Sequence, residues 1–238
     1  MSDTHPSPTR IIITTERLRV SAGTQFLHQP SFIPDASVAL SNPSRWKNVV
    51  LPLIATYTFQ LGSLLDVDFT RALLACPQLP NFYKAITSVN FPQFYQFAGI
   101  RDNRTSNPYL DFVKAIPNLE HLALTFHSAG LTGSVYTEKD RIALENNGKV
   151  EESKELKVLK KKDVVAFYKL DDVFELKRTR ISKVTCYLID SELVGHFVKK
   201  GAALDVFEEF QDYFEKGFKK VKREIHVDLI VCPLPFTG

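Results

Sequence analysis

Histidine and carboxylate pairs are the first residues in this chain that invite a chemical reading. His121 and His127 stand six residues apart at the two ends of an apolar run. An even separation along a strand puts both side chains on one face, where two imidazoles can hold a metal or pass a proton. His226 and Asp228 alternate in the last apolar run and share a face in the same way, as an acid–base pair would. Glu192 and His196 lie four apart on a helical pattern, but the first His of an HExxH zinc motif is missing, so a helix-surface contact is the simpler reading. No GxSxG, GxGxxG or GxxxxGK[ST] pattern occurs, and no cofactor is implied. Ser128 to Ser134 could offer backbone N–H groups to an anion, but it lacks the Lys and the ordered glycines of a phosphate loop.

The three cysteines, Cys76, Cys186 and Cys232, are too far apart in sequence for a metal knuckle or a CxxC pair. Each sits in an apolar run and reads as a buried, reduced thiol, which agrees with a reducing compartment. Lys157, Lys160, Lys161 and Lys162 form a basic cluster. Glu151, Glu152 and Glu155 precede it at helical offsets, so it reads as a solvated, paired face. The net charge of +3 supports neither nucleic acid nor an anionic membrane as a partner. The polar start of the chain does not read as a signal peptide, and no apolar run reaches the roughly 18 residues of a membrane span. The expectation is an intracellular protein, cytoplasmic or nuclear.

Aromatic residues make the second candidate set. Eighteen Phe and eight Tyr are mostly core volume. Phe91, Phe94, Tyr95 and Phe97, however, cluster where a strand runs into an Asn- and Pro-rich loop, a place where scaffolds display binding residues. Together with His127 and the 128–138 loop they are the expected binding surface, since aromatic anchors are typical of protein interfaces.

The elements that would position these residues alternate between helix and strand. Asn42-Pro43 opens a helical pattern with Asn42 as N-cap. Residues 55–61 read as a strand, a helix follows from about Asp68, and strands are expected at 86–91, 121–126, 183–189 and 225–231, with Pro233 and Pro235 ending the last. Helices are expected at 109–116, from Asp163, at 191–199 and at 203–221. Ile11 to Val20 reads as the first strand or two, and residues 21–43 as an irregular connection. Residues 1–9 read as a disordered N-terminus, and 10–238 as a single domain with a charged insertion at about 128–162. The second half is charge-dense but neutral, with 20 basic and 20 acidic groups over residues 120–238, as solvated helix faces are.

One segment occurs twice. Ala75-Cys76-Pro77-Gln78-Leu79 is matched forty residues later by Ala115-Ile116-Pro117-Asn118-Leu119. Each copy follows a helical pattern and leads into a strand, which is how a solenoid of helix–strand units reads in sequence. At this point the chain resembles a family. FVKAIPNLEHLALTFHSAGL, from Phe112 to Leu131, is similar to the helix–strand unit of leucine-rich repeats in fungal F-box proteins. LLACPQLPNFYKAITSVNF, from Leu73 to Phe91, is similar but carries an insertion. The resemblance spans residues 50–130 best and is confined to the repeat region, with no F-box helical module before it. It implies a link to a ubiquitin ligase.

The fold class expected is α/β, a short irregular leucine-rich-repeat-like solenoid with a roughly parallel sheet. The function expected is a non-catalytic interaction or scaffold domain with a protein partner. The alternative is an enzyme whose site the fold assembles from His127, His226 and Asp228.

Overall fold

The computed structural model describes residues 10–13, 33, 36–97 and 105–235. The readings of 1–9 as disordered, of Leu18 and Val20 as strand, and of most of 21–35 as irregular lie outside these residues. Among the described residues eight strands alternate with helices: β1 (Arg10–Ile13), β2 (Thr58–Leu61), β3 (Ser88–Phe91), β4 (His121–His127), β5 (Thr132–Ser134), β6 (Leu156–Val158), β7 (Lys183–Ser191) and β8 (His226–Leu234). Six of them form one sheet in the order β1-β2-β3-β4-β7-β8, and every neighbouring pair is parallel. The protein is therefore α/β with a parallel sheet, as its alternating pattern requires, because parallel strands need a crossover between them.

The strand order never reverses. Right-handed crossovers in a sheet that grows in one direction all fall on the same side. The core has that one-sided form. Phe59, Val89, Leu122, Val184 and Val227 lie in one register row, and Phe91, Leu124 and Cys186 in another, all within a single hydrophobic cluster. The same cluster takes in Leu110 and Val113 from the helix Pro108–Lys114, and Phe207, Phe210, Phe214 and Phe218 from the helix Ala203–Lys220. Their three- and four-residue steps put those four Phe on one helical stripe, and Phe126 receives it, with ring centroids 5.0 Å from Phe210 and 6.4 Å from Phe207.

The duplicated peptide folds twice in the same way. Ala75 (φ −83°, ψ −5°) and Ala115 (φ −81°, ψ −4°) are the C-caps of the helices Leu64–Leu74 and Pro108–Lys114. After them Cys76 N and Ile116 N donate to Leu73 and Val113 carbonyls, and Leu79 N and Leu119 N donate to Cys76 and Ile116 carbonyls. The first copy then inserts the short helix Phe82–Ala85 before its strand, whereas the second enters β4 directly. Neighbouring turns are tied by side chains. Thr87 Oγ1 donates to the Ala55 carbonyl at 2.7 Å, Asn118 Nδ2 to Lys84 at 2.6 Å, and Ser182 Oγ to Glu120 at 3.3 Å.

Several boundaries differ from the sequence reading. The helix expected from Asp68 begins at Leu64, because Ser63 and Asp66 form a reciprocal capping box. Residues 55–57 finish a helical turn, so β2 starts at Thr58. The helix after Asp163 starts at Lys161, with Lys160 as its N-cap. The charged 128–162 stretch carries two helices, Glu138–Asn146 and Val150–Ser153, and the antiparallel pair β5–β6. In it Lys149 pairs with Glu152 and Lys154 with Glu151, while Lys161 reaches Glu209. Pro233 lies inside β8 rather than ending it, which an edge strand permits where the missing N–H faces solvent.

Candidate functional site

One face of the sheet carries the helices; among the described residues the other carries the alternating, mostly polar residues of β2, β3, β4, β7 and β8, of which Thr58, Ala123, Thr125 and Thr185 are buried. The side-chain period of two puts Thr58 and Gln60 of β2, Ser88 and Asn90 of β3, and His121, Thr125 and His127 of β4 on this open face. Lys183, Thr185 and Tyr187 of β7 and His226, Asp228 and Ile230 of β8 continue it. Register aligns them in rows: Thr58, Ser88, His121, Lys183 and His226, then Gln60, Asn90, Ala123, Thr185 and Asp228, then Thr125, Tyr187 and Ile230.

A hydrogen-bonded chain crosses four strands of this face. Thr58 Oγ1 donates to Ser88 Oγ at 3.0 Å, Ser88 Oγ lies 3.3 Å from His121 Nδ1, and His121 Nε2 lies 2.9 Å from Thr185 Oγ1. Both ring nitrogens are thus held by hydroxyls. Burial pushes the His121 pKa below its usual range, and the nearby Lys183 charge adds to the effect against the opposing pull of Asp228. Next to it, Asp228 joins Lys183 at 2.6 Å and His226 at 2.7 Å. The Lys183 hydrogen bond holds the Asp228 carboxyl below the usual carboxylate range. Asn90 Oδ1 is buried and finds no hydrogen-bond donor among the described residues.

The far end of the face is aromatic. His127 Nδ1 accepts from Ala129 N at 3.0 Å, which starts the 3₁₀ turn Ser128–Leu131, and its ring lies 5.5 Å from that of Tyr95. Burial lowers the His127 pKa, with Asp190 opposing. Of the expected binding residues, Tyr95 and His127 meet here, both half-buried. Phe91, Phe94 and Phe97 do not: they are 0%, 0% and 2% exposed and belong to the core. Phe91 points to the helix side of β3, and Phe94 packs against the rings of Tyr109, Phe126 and Tyr168 at 5.5–5.7 Å. The short 3₁₀ turn Phe94–Gln96 accounts for the difference, since it turns Phe94 inward and leaves Tyr95 beside His127.

The dispersed trio His127, His226 and Asp228 is brought together only in part. His226 and Asp228 touch, but register pairs His127 through Ile189 with Cys232. That leaves His127 about 13 Å along the strands and about 10 Å across them from Asp228. By the same spacing His121 and His127 stand roughly 20 Å apart on their shared face. Among the described residues no group of three or more His, Cys, Asp or Glu is placed to hold a metal ion, and no helix is long and apolar enough to cross a membrane. Cys186 is buried and its thiol pKa is raised, Cys76 is half-buried, and Cys232 is exposed on β8, contrary to the buried reading of all three.

Among the described residues, clefts lie between the helices. One of about 450 Å³ is lined by Lys161, Asp171, Phe174, Asp212, Tyr213 and Lys216. Its Lys216 is already paired with Asp212 at 2.6 Å, and Tyr213 Oη donates to Asp171 at 2.8 Å. The other, about 620 Å³, is apolar and bordered by Leu40, Trp46, Leu51, Pro77 and Pro80. Neither contains a histidine.

Sequence reasoning passed over Thr58, Ser88, Asn90, Lys183, Thr185 and Tyr187. The signal was present as i, i+2 alternation in each strand, such as Ser88-x-Asn90 and Lys183-x-Thr185-x-Tyr187, and becomes visible once the strands are aligned. No protein-family model matches the chain, and neither does any curated protein sequence or any solved structure.

Proposed function

We propose that this protein is a non-catalytic interaction domain of leucine-rich-repeat-like solenoid type, which binds a protein partner across the open face of its parallel sheet. The observation that carries the reading is the unreversed strand order, which among the described residues leaves one sheet face without helices and lines up side chains from five strands on it. Repeat stacks use such faces for binding without a reactive centre. The repeated Ala75 and Ala115 turns and the side-chain ties between successive turns support the solenoid part and, with it, the kinship to F-box repeat regions. The mixture on the face suits a protein partner. The Lys183–Asp228 pair gives directional contacts, and Tyr187, Ile230, Tyr95 and His127 give apolar ones.

The test is capture from native lysate with wild type, a Tyr95→Ala/Tyr187→Ala variant and a helix-side control, Glu215→Ala/Lys219→Ala, each checked for fold by circular dichroism. A partner retained by the control and lost by the open-face variant is the expected result. A partner bound equally by all three, or lost only in the control, moves the interface elsewhere and defeats the proposal.

A further inference from the structure

Two basic runs meet at the end of the sheet where its last two strands begin. Residues 176–183, leading into β7, hold Lys177, Arg178, Arg180 and Lys183. Residues 216–223, just ahead of β8, hold Lys216, Lys219, Lys220, Lys222 and Arg223. Neither stretch contains an Asp or a Glu. β7 and β8 pair in register from Lys183 opposite His226, which brings the two runs side by side. Arg223 ties them together. Its guanidinium donates to the Lys177 carbonyl at 3.1 and 3.2 Å and to the Thr179 carbonyl at 2.8 Å.

Most of these charges are not neutralised within the fold. Lys183 pairs with Asp228 and Lys216 with Asp212. Among the described residues, Lys177, Arg178, Arg180, Lys219, Lys220, Lys222 and Arg223 form no ion pair, and all but the half-buried Arg223 are exposed. Of the carboxylates that flank the runs, Glu175 is paired with Lys114, and Glu215 and Glu224 are exposed. The whole chain carries only +3, so these cations leave the rest of it negative on balance. A charge gathered in this way orients a polyanion, which an evenly spread +3 does not.

Cations near helix C-termini offset the macrodipole and cap the last carbonyls. Arg223 does this for the 3₁₀ helix Leu170–Arg178. Lys222 does not serve the fold in that way. It follows the C-cap of the helix Ala203–Lys220, where its own N–H donates to the Lys219 carbonyl and Arg223 N–H to Phe218, both at 3.0 Å. Its φ is 61°, in the left-handed position where glycine is favoured. The local fold is therefore served better by glycine, and the charge is what lysine adds.

We propose that this patch binds the phosphate backbone of double-helical nucleic acid without reading its sequence. Charge alone suffices for that ligand, because phosphate neutralisation and counterion release supply essentially all of non-specific binding. Other polyanions need features that the patch lacks. Single strands are held by stacking on exposed aromatic rings, and the one aromatic residue in the two runs, Phe218, is buried. Protein interfaces are centred on apolar and aromatic anchors, and stable membrane attachment takes an inserted chain beside the basic residues. No large apolar residue of either run is exposed: Leu176, Ile181 and Phe218 are buried and Val221 is half-buried. The proposal does not rest on what binds the open face.

Fluorescence anisotropy of the full chain with a short labelled DNA duplex, in salt from about 50 to 300 mM, tests it. Wild type is expected to bind with a dissociation constant on the order of 1–100 μM at physiological salt, and with a log–log salt slope of about −5 to −6. Arg178→Ala/Arg180→Ala/Lys220→Ala removes side chains that make no hydrogen bond or ion pair among the described residues. It is expected to flatten the slope by about 3 and to weaken binding at least about a hundredfold in ~100 mM salt. Lys139→Ala/Lys149→Ala/Lys154→Ala takes the same charge from the segment that follows the far end of β4, and is expected to stay within about threefold of wild type. Lys222→Gly is expected to keep or raise the Tm and still weaken binding about five- to tenfold in ~100 mM salt, which separates the charge from the fold. Wild type that does not bind the duplex at protein concentrations on the order of 100 μM overturns the proposal. An equal loss in the two triple variants overturns it too, because the charge would then act without a site. Tighter binding of oligoglutamate or of phosphatidylserine vesicles than of the duplex, at the same salt, also overturns it and gives the patch to an acidic protein or a membrane.

Discussion

Phe94 and Tyr95 are neighbours in sequence, and replacing each with alanine has very different expected consequences. Phe94 is fully buried and its ring contacts those of Tyr109, Phe126 and Tyr168. Phe94→Ala removes a whole buried ring and leaves a cavity walled by three other rings that cannot all collapse into it. Such a change costs about 3–5 kcal/mol. Against a total stability on the order of 5–15 kcal/mol, the variant is left with a fraction of its reserve. For a chain of this size, roughly 2–4 °C per kcal/mol puts the fall in Tm at about 6–20 °C. Tyr95 is half-buried and its one ring contact is with His127, so Tyr95→Ala should cost under about 1.5 kcal/mol. Urea unfolding followed by circular dichroism and by tyrosine fluorescence measures both. A Phe94→Ala protein within about 0.5 kcal/mol of wild type would mean that Phe94 is not in the core, and would restore it as a surface anchor.

Three further outcomes follow from the same core and the same open face. Tyr168 is buried and its hydroxyl has no hydrogen-bond partner among the described residues, so Tyr168→Phe should stabilise by about 1–2 kcal/mol in urea titrations; a loss of stability would reveal a partner for that oxygen. A Cβ at Gly130 would overlap the Tyr168 hydroxyl, so Gly130→Ala should destabilise by about 1–3 kcal/mol and should recover part of the loss in a Tyr168→Phe background. The His121 pKa is lowered in the folded state from 6.5, so the unfolded chain binds more protons below that pH. Stability is then full above pH 6.5 and falls as pH drops through 6.5 toward the folded value. In urea midpoints taken from pH 8 to pH 5, His121→Gln should flatten this fall, and an unchanged slope would refute the assignment.

Local sequence determined the elements and their kind. Asn42-Pro43 set a helix start, the Ala75 and Ala115 turns closed two helices identically, and apolar runs of the right length became parallel strands because helical segments separate them. These features depend on neighbours within a few residues, where capping, turn geometry and periodicity act. The Ser63/Asp66 capping box is equally local. Which way an aromatic faces near an element's end is not local, since a single 3₁₀ turn sends Phe94 inward and Tyr95 to the surface. Nor is the assembly of His121 with Ser88 and Thr185, residues 33 and 64 positions away, which only the strand register brings within hydrogen-bonding distance. Pro233 shows the same division. Its lack of an N–H is written in the sequence, but whether that ends a strand depends on which side the group would have faced, and tertiary structure decided this by leaving β8 at the edge.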